Sequence, residues 1–578
     1  MFRLRRFLKN YKLQLTLGPV CKLIEAIFEL FIPLITADII DTGVNQNHDV
    51  GYVLRQGGFM ILLGVFGLGF ALVCQKSASI ASQGFGTEVR NAMFKHINKL
   101  SHAELDKIGT PSLITRMTND INQLQLAVAM LIRLVIRAPF LVLGAIIMAM
   151  SIDIKMSLIF LAASPLIALV LFLIMYKSVP FFKKIQKKLD TVSLISRENL
   201  SGNRVIRAFS KQDSEQSRLE TQNDELAQTA VAVGRISALL NPLTYVIAQA
   251  AIIAIVWFGA RFVYNGDLTQ GEIIALVNYM TQILLTMIVV SNLVVIFTKA
   301  SASAARVNEV FDTVPSIQEK SSESISVDET VPIIQFKDVS FGYANNGYAL
   351  KNLSFSIQKG ETVGIIGGTG SGKSTLVNLI PRFYDTSEGN ILIKGADVKE
   401  YPFKQLREKM GIVPQAAMLF AGTIKSNMQW GKKNADIDEI NKALKIAQAY
   451  DFVYQNPEKL DRVVTAGGKN LSGGQKQRLT IARALVSQPE ILILDDSASA
   501  LDFATDAALR KSLKEETQNM TVIMVSQRVG TVRYADKIIV LDKGELVGIG
   551  KHNDLFNECN VYKEICLSQL KAEEVLNK

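Results

Sequence analysis

One stretch of the chain carries the clearest chemistry: Gly367-Gly368-Thr369-Gly370-Ser371-Gly372-Lys373-Ser374. The spacing G-x-x-x-x-G-K-[ST] suits a loop that wraps a chain of phosphates. Glycines let backbone N–H groups close around the oxyanions. Lys373 supplies a point charge for the outer phosphates, Ser374 a hydroxyl for Mg²⁺, and Thr375 follows as a further binding residue. A second stretch, Ile491-Leu492-Ile493-Leu494-Asp495-Asp496, ends an apolar run in two carboxylates, with Asp495 placed for Mg²⁺. A third, Leu471-Ser472-Gly473-Gly474-Gln475, precedes a helical pattern running to Leu485. A helix N-terminus with glycines is another device for holding phosphate.

These residues need a strand, a tight loop and a helix start to position them. The apolar run Thr362–Ile366 reads as the strand entering the loop, and Ser374–Ile380 as the helix leaving it. Ile333–Phe336, Ile491–Leu494, Val522–Val525 and Ile538–Leu541 read as further strands, alternating with helical segments. That is an α/β pattern with a largely parallel sheet, spanning residues 333–578. Residues 314–332 are rich in Ser and Glu and read as a linker.

Residues 1–313 have another character. The chain of 578 residues exceeds one ordinary core, and 49% of it is hydrophobic. Six spans are expected: Leu13–Ile40, Gly57–Gln75, Ala127–Met150, Met156–Tyr176, Ala238–Ala260 and Ile273–Phe297. The net charge of +10 could suit nucleic acid. The basic residues instead lie between and beside the apolar runs, which points to membrane lipids and away from nucleic acid. Arg3, Arg5 and Arg6 precede the first apolar run, with no small-residue cleavage site after it, so that run reads as an uncleaved span. Segment 41–56 carries only Arg55, whereas 177–237 carries eleven basic residues from Lys177 to Arg235. Positive charge alternates so as to put both termini in the cytosol. The two basic loops read as helices that continue out of the membrane and turn back near Gly109-Thr110-Pro111 and Ser201-Gly202-Asn203. Cys21, Cys74, Cys559 and Cys566 have no metal-ligand or redox spacing and are expected as reduced thiols.

Lys22, Glu25 and Glu29 fall inside the first span. They either form a polar patch in a substrate pathway or neutralise one another along one helix face. Arg133 and Arg137, in the third span, either snorkel or face the bundle. Asn278, Thr281, Gln282, Thr286, Ser291 and Asn292 make the sixth span polar, which suits a cavity wall or interhelical hydrogen bonding equally.

Taken together, these motifs resemble the ATP-binding cassette (ABC) family, in its exporter form of six membrane helices fused to one nucleotide-binding domain. The resemblance covers nearly the whole chain. It implies a helical transmembrane domain of the type IV exporter kind, followed by an α/β P-loop domain that uses ATP and Mg²⁺. Tyr343 matches the aromatic that stacks on adenine, a role that rests on the resemblance alone. Gln415, in Val413-Pro414-Gln415, matches the Q-loop residue that senses Mg²⁺. Leu471, Ser472, Gly473, Gly474 and Gln475 match the signature motif, and Ser499-Ala500-Leu501-Asp502 the D-loop. The turns near Pro111 and Gly202 match the two coupling helices.

Two departures matter. The family's general-base glutamate after the Walker B aspartate is here Asp496, whose carboxylate retreats by about 1.5 Å, one C–C bond. A well-placed base is worth ~10²–10⁴ in rate. The family's switch histidine is here Gln527, in Gln527-Arg528, which can hydrogen-bond a γ-phosphate but cannot shift protons at neutral pH. The chain's histidines, His48, His96, His102 and His552, all lie elsewhere. The acidic residue that often precedes the signature is also missing, with Thr465 and Ala466 in that region.

The pattern resembles the degenerate-site subunit of heterodimeric bacterial multidrug exporters. It implies a second half-transporter carrying the Walker B glutamate and the switch histidine, a plasma-membrane location with the nucleotide-binding domain cytosolic, and a lipophilic small-molecule substrate. No peptidase segment is evident, which favours such substrates over processed peptides. The alternatives are a homodimeric lipid or peptide exporter, and a nucleotide-gated channel or regulatory subunit.

Overall fold

A computed structural model describes residues 2–46, 48–319, 325, 328–343, 347–517 and 519–569. Within the linker, residues 320–324 and 326–327 lie outside this set. The chain forms two compact units, Met1–Asn98 with Gly109–Thr313, and Lys99–Ile108 with Val314–Lys578.

The first unit is helical. Among the described residues, five helical stretches are long and apolar enough to cross a membrane: Val50–Ile97, Thr110–Ile152, Ile154–Ala208, Gln212–Tyr264 and Gln270–Asp312. The remaining expected span is a 27-residue helix, Lys12–Asp38. Lys22, Glu25 and Glu29 in its interior dilute its apolar character, which is why length and composition alone give five spans and not six among the described residues. Ile61, Leu62, Val65 and Phe66 are exposed, as residues facing lipid would be, while Ala26, Ala78, Ala81, Ala145 and Ala149 are fully buried. Small residues at the contacts let membrane helices approach closely, where dispersion and hydrogen bonds replace the hydrophobic drive. Some of the long helices begin on side-chain caps. Asp153 accepts from the Met156 amide at 2.7 Å, and Thr269 forms a capping box with Glu272.

Four intramembrane charges pair, whereas Arg133 makes no ion pair among the described residues and its Nε is buried without a hydrogen-bond partner. Lys22 meets Glu25 at 2.6 Å within one helix, and Arg137 meets Glu29 at 2.6 Å across two. Lys22, Glu25 and Glu29 are thus each paired with an opposite charge, and Arg137 faces the bundle. In the last span Thr281 and Thr286 bond back to their own helix, while Ser291 meets Met175 Sδ at 3.0 Å.

The expected turn at Ser201-Gly202-Asn203 is not there. Helix Ile154–Ala208 runs straight through it, and the reversal comes at Phe209-Ser210-Lys211, where Ser210 takes a φ of 51°. Gly202 is a tolerated helix glycine, since the positions after it still favour helix. The first turn lies where expected. Gly109, at φ 80°, separates the short helix His102–Ile108 from Thr110–Thr115.

The second unit contains a six-stranded sheet. Its spatial order is Glu545–Gly550, Lys537–Asp542, Thr362–Gly367, Thr521–Val525, Ile491–Asp495 and Met410–Val413. All its pairings are parallel except that of Glu545–Gly550. The central strands are near-continuous apolar runs because both faces are covered. A separate antiparallel sheet of four strands includes Ile334–Phe341 and Leu350–Ile357. The segment from Ile333, expected among the parallel strands, belongs here. Short helix His102–Ile108 packs within this unit, with Tyr384 donating to Asp106 at 2.9 Å and the His102 ring 4.7 Å from that of Phe383.

Candidate functional site

Strand Thr362–Gly367 delivers the glycine loop, and helix Lys373–Leu379 carries the chain away. Gly370 and Gly372 hold φ values of 79° and 96°, which non-glycine residues resist. At Gly367 a Cβ would collide with the carbonyl oxygen of Leu541, and at Gly372 it would lie 2.6 Å from Leu350 Cδ2. A Cβ at Gly368 would meet nothing within 4 Å among the described residues, so that edge of the loop is open to a ligand. Lys373 Nζ donates to the carbonyls of Gly367 and Gly368 at 2.9 and 2.7 Å and lies 3.4 Å from Ser371 Oγ. Its ammonium is thus held inside the loop's own curl. Burial lowers its pKa, and the nearby Asp496 and Asp495 oppose that. Thr369 lies between these glycines.

Asp495 ends strand Ile491–Asp495 and is buried. Ser374 Oγ donates to it at 3.1 Å. Burial pushes the Asp495 carboxyl above its ordinary range, a shift the Ser374 hydrogen bond offsets and the Asp496 charge reinforces. A buried carboxylate beside a hydroxyl, at the edge of a phosphate-sized loop, is the hard-oxygen donor set that Mg²⁺ prefers. The residues therefore fit a Mg²⁺–phosphate group. Asp496 follows in a left-handed conformation, φ 46°, which aspartate tolerates better than most residues. Burial raises its pKa as well, while Lys373, Arg528 and a hydrogen bond from Gln415 pull it down. Gln415, itself exposed, is thereby placed beside Asp496.

Tyr343 is 38% exposed and is not a core aromatic. It stands edge-on to Phe341 and Tyr384, with centroids 4.8 and 5.3 Å apart, and its hydroxyl donates to Thr375 Oγ1 at 3.2 Å. The ring is braced at one edge and tied to the helix that follows the glycine loop.

Leu471–Gln475 stands at the start of helix Gly473–Leu485, two residues earlier than the sequence pattern indicates. Ser472 and Gln475 form a reciprocal capping box at 3.3 and 3.0 Å. Leu471 is buried and anchors the turn. A Cβ on Gly474 would lie 3.3 Å from the Ala500 carbonyl, whereas one on Gly473 would meet nothing within 4 Å among the described residues. The Gly473 face is open, and the Gly474 face rests on Ala500 and Leu501.

Gln527 is exposed, and its carbonyl accepts from Gln569 Nε2 at 2.7 Å. Arg528 donates to the Ser499 carbonyl at 3.2 Å and lies over the Phe503 ring. Sequence reasoning did not anticipate Gln569 or the Arg528–Ser499 link. Neither belongs to a spaced motif, and Gln569 comes 42 residues after its partner.

Glycine loop, buried aspartate and capped signature helix together define a P-loop nucleotide-binding domain, in a chain that also carries membrane-spanning helices. Residues 15–287 match the ABC transporter transmembrane region and residues 350–499 match the ABC transporter family. The chain is 37% identical over 568 residues to the uncharacterized ABC transporter ATP-binding protein YfiB of Bacillus subtilis, covering 98% of each. It is 31% identical over 497 residues to the ATP-dependent lipid A-core flippase of Syntrophus aciditrophicus, covering 86% of this chain and 82% of that one. Its fold matches a solved structure of a bacterial Atm1-family ABC exporter with ATP bound, at a TM-score of 0.80 and 24% identity, covering 98% and 99% of the two chains. This protein belongs to the ABC transporter family. It is a multi-pass membrane half-transporter of the exporter type, with an ATPase domain coupled to transport.

Proposed function

We propose that this chain is the degenerate-site half of a heterodimeric exporter that moves drugs or other lipophilic compounds out of the cell. The observation that carries this is an intact Lys373, Ser374 and Asp495 beside Asp496 and Gln527, where the family places its general-base glutamate and switch histidine. On this reading residues 1–313 are the transmembrane domain, 314–332 the linker and 333–578 the nucleotide-binding domain. Both termini and the nucleotide-binding domain are cytosolic, in a bacterial plasma membrane.

Lys373 and the loop amides from Gly367 to Thr375 bind the ATP phosphates, and Tyr343 stacks on adenine. Ser374, Asp495 and Gln415 hold Mg²⁺, which when bound neutralises charge between the outer phosphates. Asp496 and Gln527 face this chain's own nucleotide but turn it over poorly. Leu471–Gln475 close instead on the nucleotide held by the partner's Walker loop, where the partner's glutamate and histidine act. The open face of Gly473 supports that assignment. Closure of the two nucleotide-binding domains on ATP, and their parting after hydrolysis at the competent site, drive alternating access.

The flippase relative supports a second reading, a lipid-moving homodimer that tolerates Asp496 and Gln527. ATP turnover by the purified chain alone, against that of the chain with any half-transporter that co-purifies with it, separates the two. The heterodimer reading expects turnover only in the mixed complex. Equal specific activity of the isolated chain would overturn it.

A further inference from the structure

The last described helix, Asn560–Gln569, reaches back to the loop that carries Gln527. Tyr562 and Cys566 are fully buried on it and share one apolar cluster with Ile366, on the strand entering the glycine loop, and with Val529 and Val532. That packing fixes the helix against the elements that flank the nucleotide site. At its end the Gln569 carboxamide makes two hydrogen bonds to the same backbone stretch. Its Nε2 donates to the Gln527 carbonyl at 2.7 Å, and its Oε1 accepts from the Val529 amide at 2.9 Å. One planar side chain thus pins the backbone on both sides of Arg528. The Arg528 guanidinium in turn donates to the Ser499 carbonyl, and Ser499 donates through Oγ to the Asp496 carbonyl at 2.8 Å. Val529 also opens a four-residue helix, so its amide has no partner within that helix. Without Gln569 the loop loses both restraints.

We infer that Gln569 is a positioning residue for nucleotide recognition: it fixes the Gln527 backbone so that the Gln527 side chain meets the γ-phosphate of ATP. The inference rests on the assignment of the Lys373 loop as this chain's nucleotide site. Its signature is discrimination. A γ-phosphate contact exists for ATP and not for ADP, whereas general damage to the fold weakens both.

The test uses the full chain in lipid nanodiscs, with ATP and ADP affinities measured by displacement of a fluorescent nucleotide. Gln569→Ala should weaken ATP binding by about three- to tenfold, the worth of one to two ordinary hydrogen bonds. ADP affinity should stay within about twofold. Gln569→Glu still offers an acceptor to Val529 but has no proton for the Gln527 carbonyl, and should lose ATP affinity at least as much. Its exposed neighbour Ser568→Ala should match wild type. Unchanged ATP affinity in Gln569→Ala overturns the inference. So do equal losses for ATP and ADP with a lowered melting temperature, which mark a purely structural role. If Lys373→Ala binds ATP as well as wild type, the site assignment itself fails and this inference falls with it, an outcome separable because it does not involve Gln569.

Discussion

If the proposed heterodimer holds, Gly473 and Asp496 offer the sharpest contrast between what a residue does for its own chain and what it does for a partner. Gly473 opens helix Gly473–Leu485, and among the described residues a Cβ there meets no atom within 4 Å. Replacing it by Glu relieves the helix of a glycine, worth up to about 1 kcal/mol. It also puts an acid in the first turn, worth about 0.3–1 kcal/mol. Gly473→Glu should therefore fold at least as well as wild type. The cost falls on the bound nucleotide. A carboxylate about 4 Å from a phosphate charge, at an effective dielectric near 20, is repelled by roughly 4 kcal/mol, or ~10³ in rate. Asp496→Asn removes a charge without changing shape, at a site where little turnover is expected, and should leave at least about half the activity. Steady-state ATP hydrolysis by purified heterodimers, one change at a time, reads both effects, with thermal unfolding as the folding control. At the equivalent partner positions the order should invert. If Asp496→Asn proves as damaging as Gly473→Glu, this chain's own site is catalytic and the asymmetric reasoning is wrong.

Tyr343→Ala should raise the dissociation constant for ATP about tenfold, from loss of base stacking. Tyr343→Phe should stay within about threefold; an equal loss would shift the weight from the ring to its hydrogen bond with Thr375. Asp495 carries a folded-state pKa raised by burial. The native state therefore binds protons that the unfolded state has released, and this group's contribution falls as pH rises through its folded pKa. In the absence of nucleotide, Asp495→Asn should raise the melting temperature at neutral pH and flatten its dependence on acidification; a lower melting temperature would refute this. For topology, on a background lacking Cys21, Cys74, Cys559 and Cys566, an impermeant thiol reagent on intact cells should label Gln46→Cys and not Asp190→Cys. The opposite pattern would invert the orientation.

Much of this was legible in the chain because the phosphate loop leaves little freedom. Thr362–Gly367 is apolar and continuous since both its faces are covered, and Gly370 and Gly372 mark backbone that only glycine adopts readily. The membrane helices were legible from length and apolar composition. The antiparallel sheet was harder to see. Leu350–Ile357 has its buried residues interrupted by exposed Lys351, Asn352 and Ser354, which dilute its apolar signal. Gly202 misled as a turn signal because one glycine costs a long helix only about 1 kcal/mol. The link from Gln569 to the Gln527 loop depends on a tertiary fold that brings residues 42 apart together, and no local spacing encodes it.

The central claim is that the two ATP sites of the complex differ, with the one at Lys373 slow. The direct measurement is nucleotide exchange at each site during turnover, using photo-crosslinkable ATP and resolving the labelled chains by size or tag. Label loaded on this chain should survive many turnovers of the complex while label on the partner is chased within one or two. Equal exchange from both chains would contradict the claim.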